Sequence, residues 1–582
     1  MQDQHVLILG LGDSGLSMAR WCARQGARVT VADTRDEPPH AAALLAQYPH
    51  ITLVTGPLSA ELVQGKDIRA VFKSPGLSPA DAGPVWQAAQ AMGLWTGTEL
   101  SLFNQALQDL KAERGYQPKV LAITGTNGKT TVTALTGQLL ERAEVRVAVA
   151  GNIGPTLLDT LTQVLDAAPP WVPPPPQEIE APASEALESK PLSEPQASEV
   201  MAGPELQADA AEETSVLEAE LPLPADLESE PEPEAAVVFT PPPPKVDLGL
   251  PDVWVLELSS FQLDQVQGFE PSAATVLNIT EDHLDWHGSM SAYVAAKSSI
   301  WGHEALMVVN REDPRVMAMV PADEPVRKKN RIVRRWVSFG TDLPTRPGDY
   351  GLETVNGMTW LVRAHESDET RKRRRDEPED IHIQRLMPAD ALRIRGEHNA
   401  LNALAALALA CSTGAQLAPM LYGLREYRGE PHRVEPVAVV NDVEYVNDSK
   451  GTNVGATVAA LRGLGRQRSL VVILGGDGKG QDFAPLLDPV RHHVRAIVLI
   501  GRDAPRLREA LASSGVPMQD ASTLPEAVHQ ASRLAQPGDA VLLSPACASL
   551  DMFRHYGHRG EVFVQAVHQL ADEVTLPMEA SA

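Results

Sequence analysis

Short apolar, β-branched runs alternate with amphipathic stretches along most of this chain. "HVLILGLGDSGLSMARWCARQGARVTVAD" (5–33) reads as strand, tight turn, helix and strand, and "KVLAITGTNGKTTVTALTGQLLERAEVRVAVAG" (119–151) repeats the order. "DVWVLELSS", "AATVLNIT" and "ALMVVN" are continuous apolar runs, the pattern of parallel strands covered on both faces. "RSLVVILGG", "VRAIVLIG" and "DAVLLSP" recur later between helical stretches such as 504–514. Three successive groups of βαβ units predict three α/β domains, with no tandem repeat beyond them.

The pattern breaks at 169–250, which holds eighteen of the chain's 47 prolines and whose only aromatic residues are Trp171 and Phe239. Such a segment buries too little apolar surface to offset its chain entropy, so a disordered insertion is predicted there. It also changes the meaning of the net charge of −26: eighteen acids and two lysines (Lys190, Lys245) place −16 within it. The remainder is mildly acidic, which gives no general electrostatic reason to expect a nucleic-acid partner. The basic clusters 327–335 and 371–375 lack interleaved aromatics and read as solvated loops. At 582 residues the chain has room for three or four domains of about 150 residues. No apolar run approaches the ~20 residues of a membrane span, and the N-terminus carries no secretory pattern. Cys22, Cys411 and Cys547 lie too far apart for a disulfide framework or a zinc site, so a reducing cytoplasm is the expected home.

Two glycine loops carry candidate chemistry. Gly10-Leu-Gly12-Asp-Ser-Gly15 follows a strand and opens a helix, with Asp33 closing the next strand. That arrangement suits a dinucleotide such as NAD, any other diphosphate-bearing ligand, or a turn made only for close packing. The second loop, Gly125-Thr126-Asn127-Gly128-Lys129-Thr130-Thr131, is shorter than the usual phosphate loop but lies between a strand and a helix. Its glycines let the backbone wrap phosphate oxygens, Lys129 supplies charge, and the Thr130 or Thr131 hydroxyl can reach Mg²⁺. Glu257, at the end of "VWVLE", is a candidate acidic metal ligand, and Asp282, His283 and Asp285 follow another strand.

In chain order, "ITGTNGKTT", "GNIG", "LELSSFQL", "NITEDHLD", "YVAAK", "GEHNALNALAA", "PHRVE", "NDSKGTN", "LGGDGKG" and "SPACASLDMF" resemble the motifs of the Mur ligase family. The resemblance covers nearly the whole chain outside 169–250 and a basic patch near 366–380. It is strongest to the branch that adds D-glutamate to UDP-N-acetylmuramoyl-L-alanine in peptidoglycan synthesis. It implies an N-terminal Rossmann-like UDP-binding domain (1–97), a central P-loop ATPase-type domain with a parallel sheet (98–429, containing the insertion), and a C-terminal Rossmann-like domain for the amino acid (430–582). It also implies ATP as co-substrate, two Mg²⁺ ions, hinge closure before chemistry, and a cytoplasmic bacterial enzyme, expected as a monomer without nucleic-acid or membrane partners.

The resemblance assigns Lys129 and Thr130 to the ATP phosphates and metal, and Glu257 and His283 to metal. Lys297 matches a lysine that the family carbamylates, which would make it a further metal ligand; unmodified, it would contact phosphate directly. Asn399 and Asn402 match the adenine and ribose region or the domain junction, while His432, Arg433 and Asp448 match residues that close the last domain over ATP. Lys450 falls near the γ-phosphate or the reaction intermediate. Ser14, Asp33, Thr34 and Arg35 match UDP-binding positions, with Ser74, Pro75, Gly76 and Asn152 along the sugar and peptide. Thr452, Lys479, Ser549, Leu550 and Tyr556 match the D-glutamate pocket. The alternative within the family is a sister ligase adding L-alanine, a diamino acid, or glutamate to folate; one for diamino acids should carry "DNPR" in its last domain, where this chain has "SPACASLDMF". An oxidoreductase would rest on the first glycine motif alone, and a scaffold on the proline-rich insertion alone.

Overall fold

The computed structural model describes residues 1–152, 154–171, 247–321, 335–367 and 381–575. Most of the predicted insertion (172–246) and the basic clusters, apart from Arg335, lie outside the described residues. Met1–Pro169 and Leu248–Ala582 make one compact unit built on three sheets.

The first sheet comprises β1 (His5–Leu9), β2 (Arg28–Asp33), β3 (Thr52–Thr55), β4 (Ala70–Lys73) and β5 (Trp95–Gly97). All are parallel, in the order β3-β2-β1-β4-β5. Val6, Leu7, Ile8 and Leu9 are fully buried, which is why this strand shows no polar alternation. The strand order reverses between β1 and β4, and the crevice at such a point is where open α/β sheets receive ligands. There the Ser74 N–H donates to Leu9 O at 2.8 Å, and a Cβ on Gly10 would meet Ser74 Cβ at 3.1 Å.

The second sheet contains β6 (Lys119–Thr124), β7 (Val147–Gly151), β8 (Val253–Glu257), β9 (Ala273–Val276), β10 (Leu306–Asn310), β11 (Trp336–Phe339), β12 (Tyr350–Val355), β13 (Met358–Glu366) and β14 (Ile381–Pro388). Its order is β14-β13-β12-β11-β10-β9-β6-β8-β7, parallel from β7 through β12. The antiparallel edge β12–β14 extends the expected parallel sheet. Asn356 and Gly357 start it, both with positive φ (51° and 80°), the backbone of a tight hairpin turn. The Ala/Leu-rich helix Glu397–Cys411 packs on the helix that follows the phosphate loop, Lys129–Arg142, with Ala403–Ala410 buried.

The third sheet joins β15 (Glu435–Val440), β16 (Val443–Asn447), β17 (Leu470–Gly475), β18 (Val494–Ile500), β19 (Met518–Asp520) and β20 (Ala540–Leu543) in the order β15-β16-β20-β17-β18-β19. Only the β15–β16 hairpin is antiparallel among these described strands.

Candidate active site

Strand register assembles the site. β6 lies between β8 and β9 with Ile123 beside Glu257 and Thr124 beside Val276, so the glycine loop, Glu257 and Asn278 emerge together. Gly125 (φ 151°) and Gly128 (φ 85°) give the loop its path, and a Cβ on Gly128 would lie 2.7 Å from Asn402 Oδ1. Asn278 clamps Asn127: its Oδ1 accepts from the Asn127 N–H at 2.8 Å and its Nδ2 donates to Asn127 O at 3.1 Å. Lys129 folds over its own loop, donating to Gly125 O and Thr126 O at 2.9 Å each.

Lys297, from the helix Met290–Ser298, reaches the same loop from below. Its Nζ donates to Gly125 O (2.9 Å) and Thr124 Oγ1 (3.2 Å), and the residue is 1% exposed. Burial, and then the Lys129 charge, hold its pKa well below the usual lysine range. Burial also lowers Lys129, against the attraction of Glu257 and Asp282.

Glu257 is 1% exposed; its Oε1 accepts from Asn152 Nδ2 at 3.0 Å, while Oε2 is buried with no hydrogen-bond partner. A buried, unpaired carboxylate oxygen beside a phosphate loop suits a hard divalent cation. His283 (φ 55°) packs edge-on against Phe261, with Nε2 3.6 Å from Asp282 Oδ2. Burial lowers its pKa and favours the neutral imidazole, despite the Asp282 carboxylate. Among the described residues no three His, Cys, Asp or Glu side chains are placed to hold a metal ion together, so a metal here would take other ligands as well.

The third sheet's loops close over this edge. Arg433 Nη2 donates to Thr130 Oγ1, and Asn453 exchanges amide hydrogen bonds with Asn127 at 3.0 and 3.2 Å. Lys450 Nζ stands 4.0 Å over the Tyr556 ring; burial, then the Arg433 and Lys129 charges, bring its pKa down to about 8. A cavity of about 350 Å³ results, lined by Lys129, Thr130, Glu257, His283, Lys297 and Lys450. Its other wall carries Thr452, Lys479, Ser549, Leu550 and Tyr556. An adjoining cavity of about 150 Å³ is lined by Thr131, Asn399, Asn402 and Asp448, and Asn127, Gly128, Arg433 and Lys450 face both. Thr126 faces the larger one, whereas Gly125 and His432 line neither; His432 accepts from Asn447 Nδ2 at 2.9 Å behind the wall.

A third cavity, of about 750 Å³, lies at the switch point of the first sheet and is lined by Ser14, Pro75, Asn152 and Gln262. Asn152 also lines the 350 Å³ cavity and so joins the two. Asp33, Thr34, Arg35, Ser74 and Gly76 do not line it. Asp33 is instead committed to the glycine loop: Oδ2 accepts from the Leu11 N–H at 2.6 Å, and both oxygens accept from Arg35 at 2.7–2.9 Å. Burial opposes ionisation there, but the Arg35 and Leu11 donors outweigh it and hold the carboxyl at about 2.

The match to known sequences follows the same three-part division. The family models described as "Mur ligase MurD-like, N-terminal domain", "Mur ligase middle domain" and "Mur ligase, glutamate ligase domain" match 4–95, 248–410 and 432–547. A UDP-N-acetylmuramoylalanine--D-glutamate ligase of Albidiferax ferrireducens is 56% identical over 100% of this chain and 99% of its own length. The chain belongs to the Mur ligase family. Another protein of that name, from Burkholderia mallei, is 50% identical over 98% of this chain and 97% of its own. The crystal structure of MurF ligase from Thermotoga maritima in complex with ADP shares the fold at TM-score 0.50 and 13% identity, covering 98% of this chain and 96% of that one.

Within this Mur ligase site, several residues escape a motif reading. Asn453, Asn278 and Tyr293, whose hydroxyl meets Thr126 Oγ1 at 3.0 Å, sit inside motifs with no role read for them. Arg559 is fully buried and spans the loops around Lys450 and Ser549: Nε and Nη2 donate to Ser449 Oγ (3.0 Å) and O (2.8 Å), and Nη1 to Cys547 O (3.1 Å). Glu99 is 1% exposed between the first two sheets, accepting from Leu158 N–H at 3.1 Å and Ser17 Oγ at 3.2 Å. Burial raises its carboxyl to about 6.

Proposed function

We propose that the joined cavities bring together the three reactants of an amide synthesis: UDP-N-acetylmuramoyl-L-alanine in the 750 Å³ cavity, ATP in the 150 Å³ cavity, and D-glutamate at the Lys479 wall. The chain is an ATP-dependent ligase of peptidoglycan precursor synthesis. The observation that carries the assignment of sites is that Asn152, Arg433 and Lys450 each line the central chamber, where the reactive ends would meet, and an adjoining cavity.

A carboxylate does not react with an amine at neutral pH, because oxide would have to leave. The substrate carboxylate oxygen attacks the γ-phosphorus, the bond to the β-phosphate oxygen breaks, and ADP leaves. The resulting acyl phosphate is captured by the free amine of D-glutamate, and the tetrahedral intermediate collapses by expelling phosphate. Lys129, Arg433 and Lys450 are cations held around the point of transfer, where an excluded-water setting strengthens them against developing charge. The Ser14 and Asn152 side chains orient the nucleotide sugar, and Lys479, with Thr452, Ser549, Leu550 and Tyr556, holds D-glutamate. Asn399, Asn402 and Asp448 hold the nucleoside, and His432 backs Arg433.

Glu257 fits a divalent cation through its unpaired Oε2, with Thr130, His283 and a carbamylated Lys297 completing the set. Two Mg²⁺ ions bound there would neutralise phosphate charge and orient the γ-phosphate. Burial lowers the Lys297 pKa and so favours the neutral amine, the form that takes up carbon dioxide. The lobes correspond to 1–97, 98–429 and 430–582. We assign the enzyme to the bacterial cytoplasm, acting as a monomer; no described helix is long and apolar enough to cross a membrane. Phosphate release measured with UDP-N-acetylmuramoyl-L-alanine, ATP and each candidate amino acid in turn tests the reading. D-glutamate alone should support rapid release, and equal rates with L-alanine or a diamino acid would overturn it.

A further inference from the structure

Lys73 ends β4 in the first sheet, and its side chain is 4% exposed. Its Nζ pairs with Asp264 Oδ2 at 3.2 Å, a residue that follows the central-lobe turn Ser260–Leu263. Two indole faces flank the ammonium: Trp86 of helix Pro79–Ala91 at 5.1 Å and Trp286 of the turn Leu284–His287 at 5.7 Å. One charge is thus enclosed by groups from both lobes. A second tie lies beside it, where Trp86 Nε1 donates to Gln265 Oε1 at 3.0 Å.

A buried ion pair is a poor device for stability, because desolvating both charges offsets their attraction. What this pair does is fix a distance. On one side, Lys73 precedes Ser74 and Pro75, and Pro75 forms a wall of the 750 Å³ cavity. On the other, Asp264 lies two residues after Gln262, which forms a facing part of the same wall. Phe261, one residue further back, lines the central chamber and packs on His283 at 4.7 Å. The ion pair therefore joins the two segments that must hold the nucleotide sugar and present its carboxylate to the chamber.

We infer that Lys73 is a positioning residue for the nucleotide-sugar substrate, acting through Asp264 to set the spacing between the 74–76 loop and the 260–265 turn. The inference rests on the assignment of the 750 Å³ cavity to that substrate. Binding of UDP-N-acetylmuramoyl-L-alanine, measured by calorimetry on the full chain without ATP, separates the two ideas. If the wild-type protein does not bind it, the assignment of the cavity fails and this inference with it. If the wild type binds and Lys73→Met binds equally well, only the role of Lys73 is overturned.

In steady-state assays Lys73→Met and Asp264→Asn should each raise KM for the nucleotide sugar about tenfold, with KM for ATP and D-glutamate within about twofold. The double variant should match either single one, since both remove the same pair. Lys73→Arg, which keeps the charge and reaches Asp264, should restore most of the affinity. A parallel rise in all three KM values, or failure of Lys73→Arg to rescue, would mark the pair as merely structural. Should Lys73→Met not fold, the Asp264→Asn and Lys73→Arg variants decide the question by the same readings.

Discussion

Asn127 and Asn453, 326 positions apart, exchange both side-chain amide hydrogen bonds, at 3.2 and 3.0 Å. One belongs to the phosphate loop; the other caps the helix Val454–Gly465, accepting from the Ala456 N–H at 2.9 Å. The third lobe is thus latched onto the loop by neutral groups, which hold position without desolvating a charge. Asn453 Nδ2 also lies 3.4 Å from Asp282 Oδ2.

Asn453→Asp keeps the cap but places a carboxylate beside Asp282 and removes one donor to Asn127. Losing that bond and adding repulsion should lower kcat about tenfold, equivalent to about 1.4 kcal/mol, while leaving the melting temperature nearly unchanged. Phosphate-release kinetics beside calorimetric melting check this. An unchanged kcat would show that the latch plays no part in reaching the reactive arrangement.

Arg559 supports a different pair of loops. Its guanidinium donates to Ser449 on one side and Cys547 on the other, and so sets the spacing of Lys450 and Ser549 across the chamber. Arg559→Lys retains a charge but not the planar fork that reaches both loops. KM for D-glutamate should rise about tenfold, with KM for ATP within about twofold. Arg559→Met, which leaves buried carbonyls unpaired, should lower the unfolding free energy in urea by about 3 kcal/mol.

These two relationships also mark where sequence reasoning stops. The phosphate loop was legible because strand, glycine spacing, Lys129 and helix are contiguous, and because Glu257 closes a neighbouring apolar strand. Asn453 and Arg559 were not, because their roles depend on partners hundreds or about a hundred residues away, and a lone arginine in "GHRGEVF" has the pattern of an exposed helix face. Asp33 fits the nucleotide motif, yet its oxygens are taken up by Leu11 and Arg35, a commitment that depends on how the loop folds back on the strand end. The antiparallel edge of the central sheet has a local signal, Asn356-Gly357 between two strands, which a βαβ pattern does not contain.

Asp448 gives a pH signature. Its carboxyl is 6% exposed and accepts from Ser544 Oγ at 2.7 Å and the Val434 N–H at 3.3 Å; burial nevertheless raises it from 3.8 to about 7. Between those values the folded state keeps a proton that the unfolded chain has released. Stability contributed by this group therefore falls as pH rises through that window and levels off above it. Asp448→Asn lacks the slope. The melting temperature of the variant minus that of the wild type should accordingly increase by a few degrees from about pH 5 to about pH 8. A difference that stays flat would place the ionised form in the folded protein.

Lys297 carries the remaining prediction. Its amine is enclosed beneath Gly125, close enough to Lys129 for like-charge repulsion to disfavour two ammonium groups. Conversion to a carbamate would replace that repulsion by attraction and add an oxygen donor where Glu257 Oε2 already lacks a partner. Lys297→Ala should lower turnover by about a thousandfold. Short carboxylic acids, small enough for the vacated space, should recover part of it, and Lys297→Arg should show no such recovery. Labelled carbon dioxide should give a carbamate carbon signal in the wild type that disappears in Lys297→Ala. If turnover is indifferent to removal of carbon dioxide and no labelled signal forms, Lys297 acts as an amine toward phosphate and the carbamate assignment is wrong.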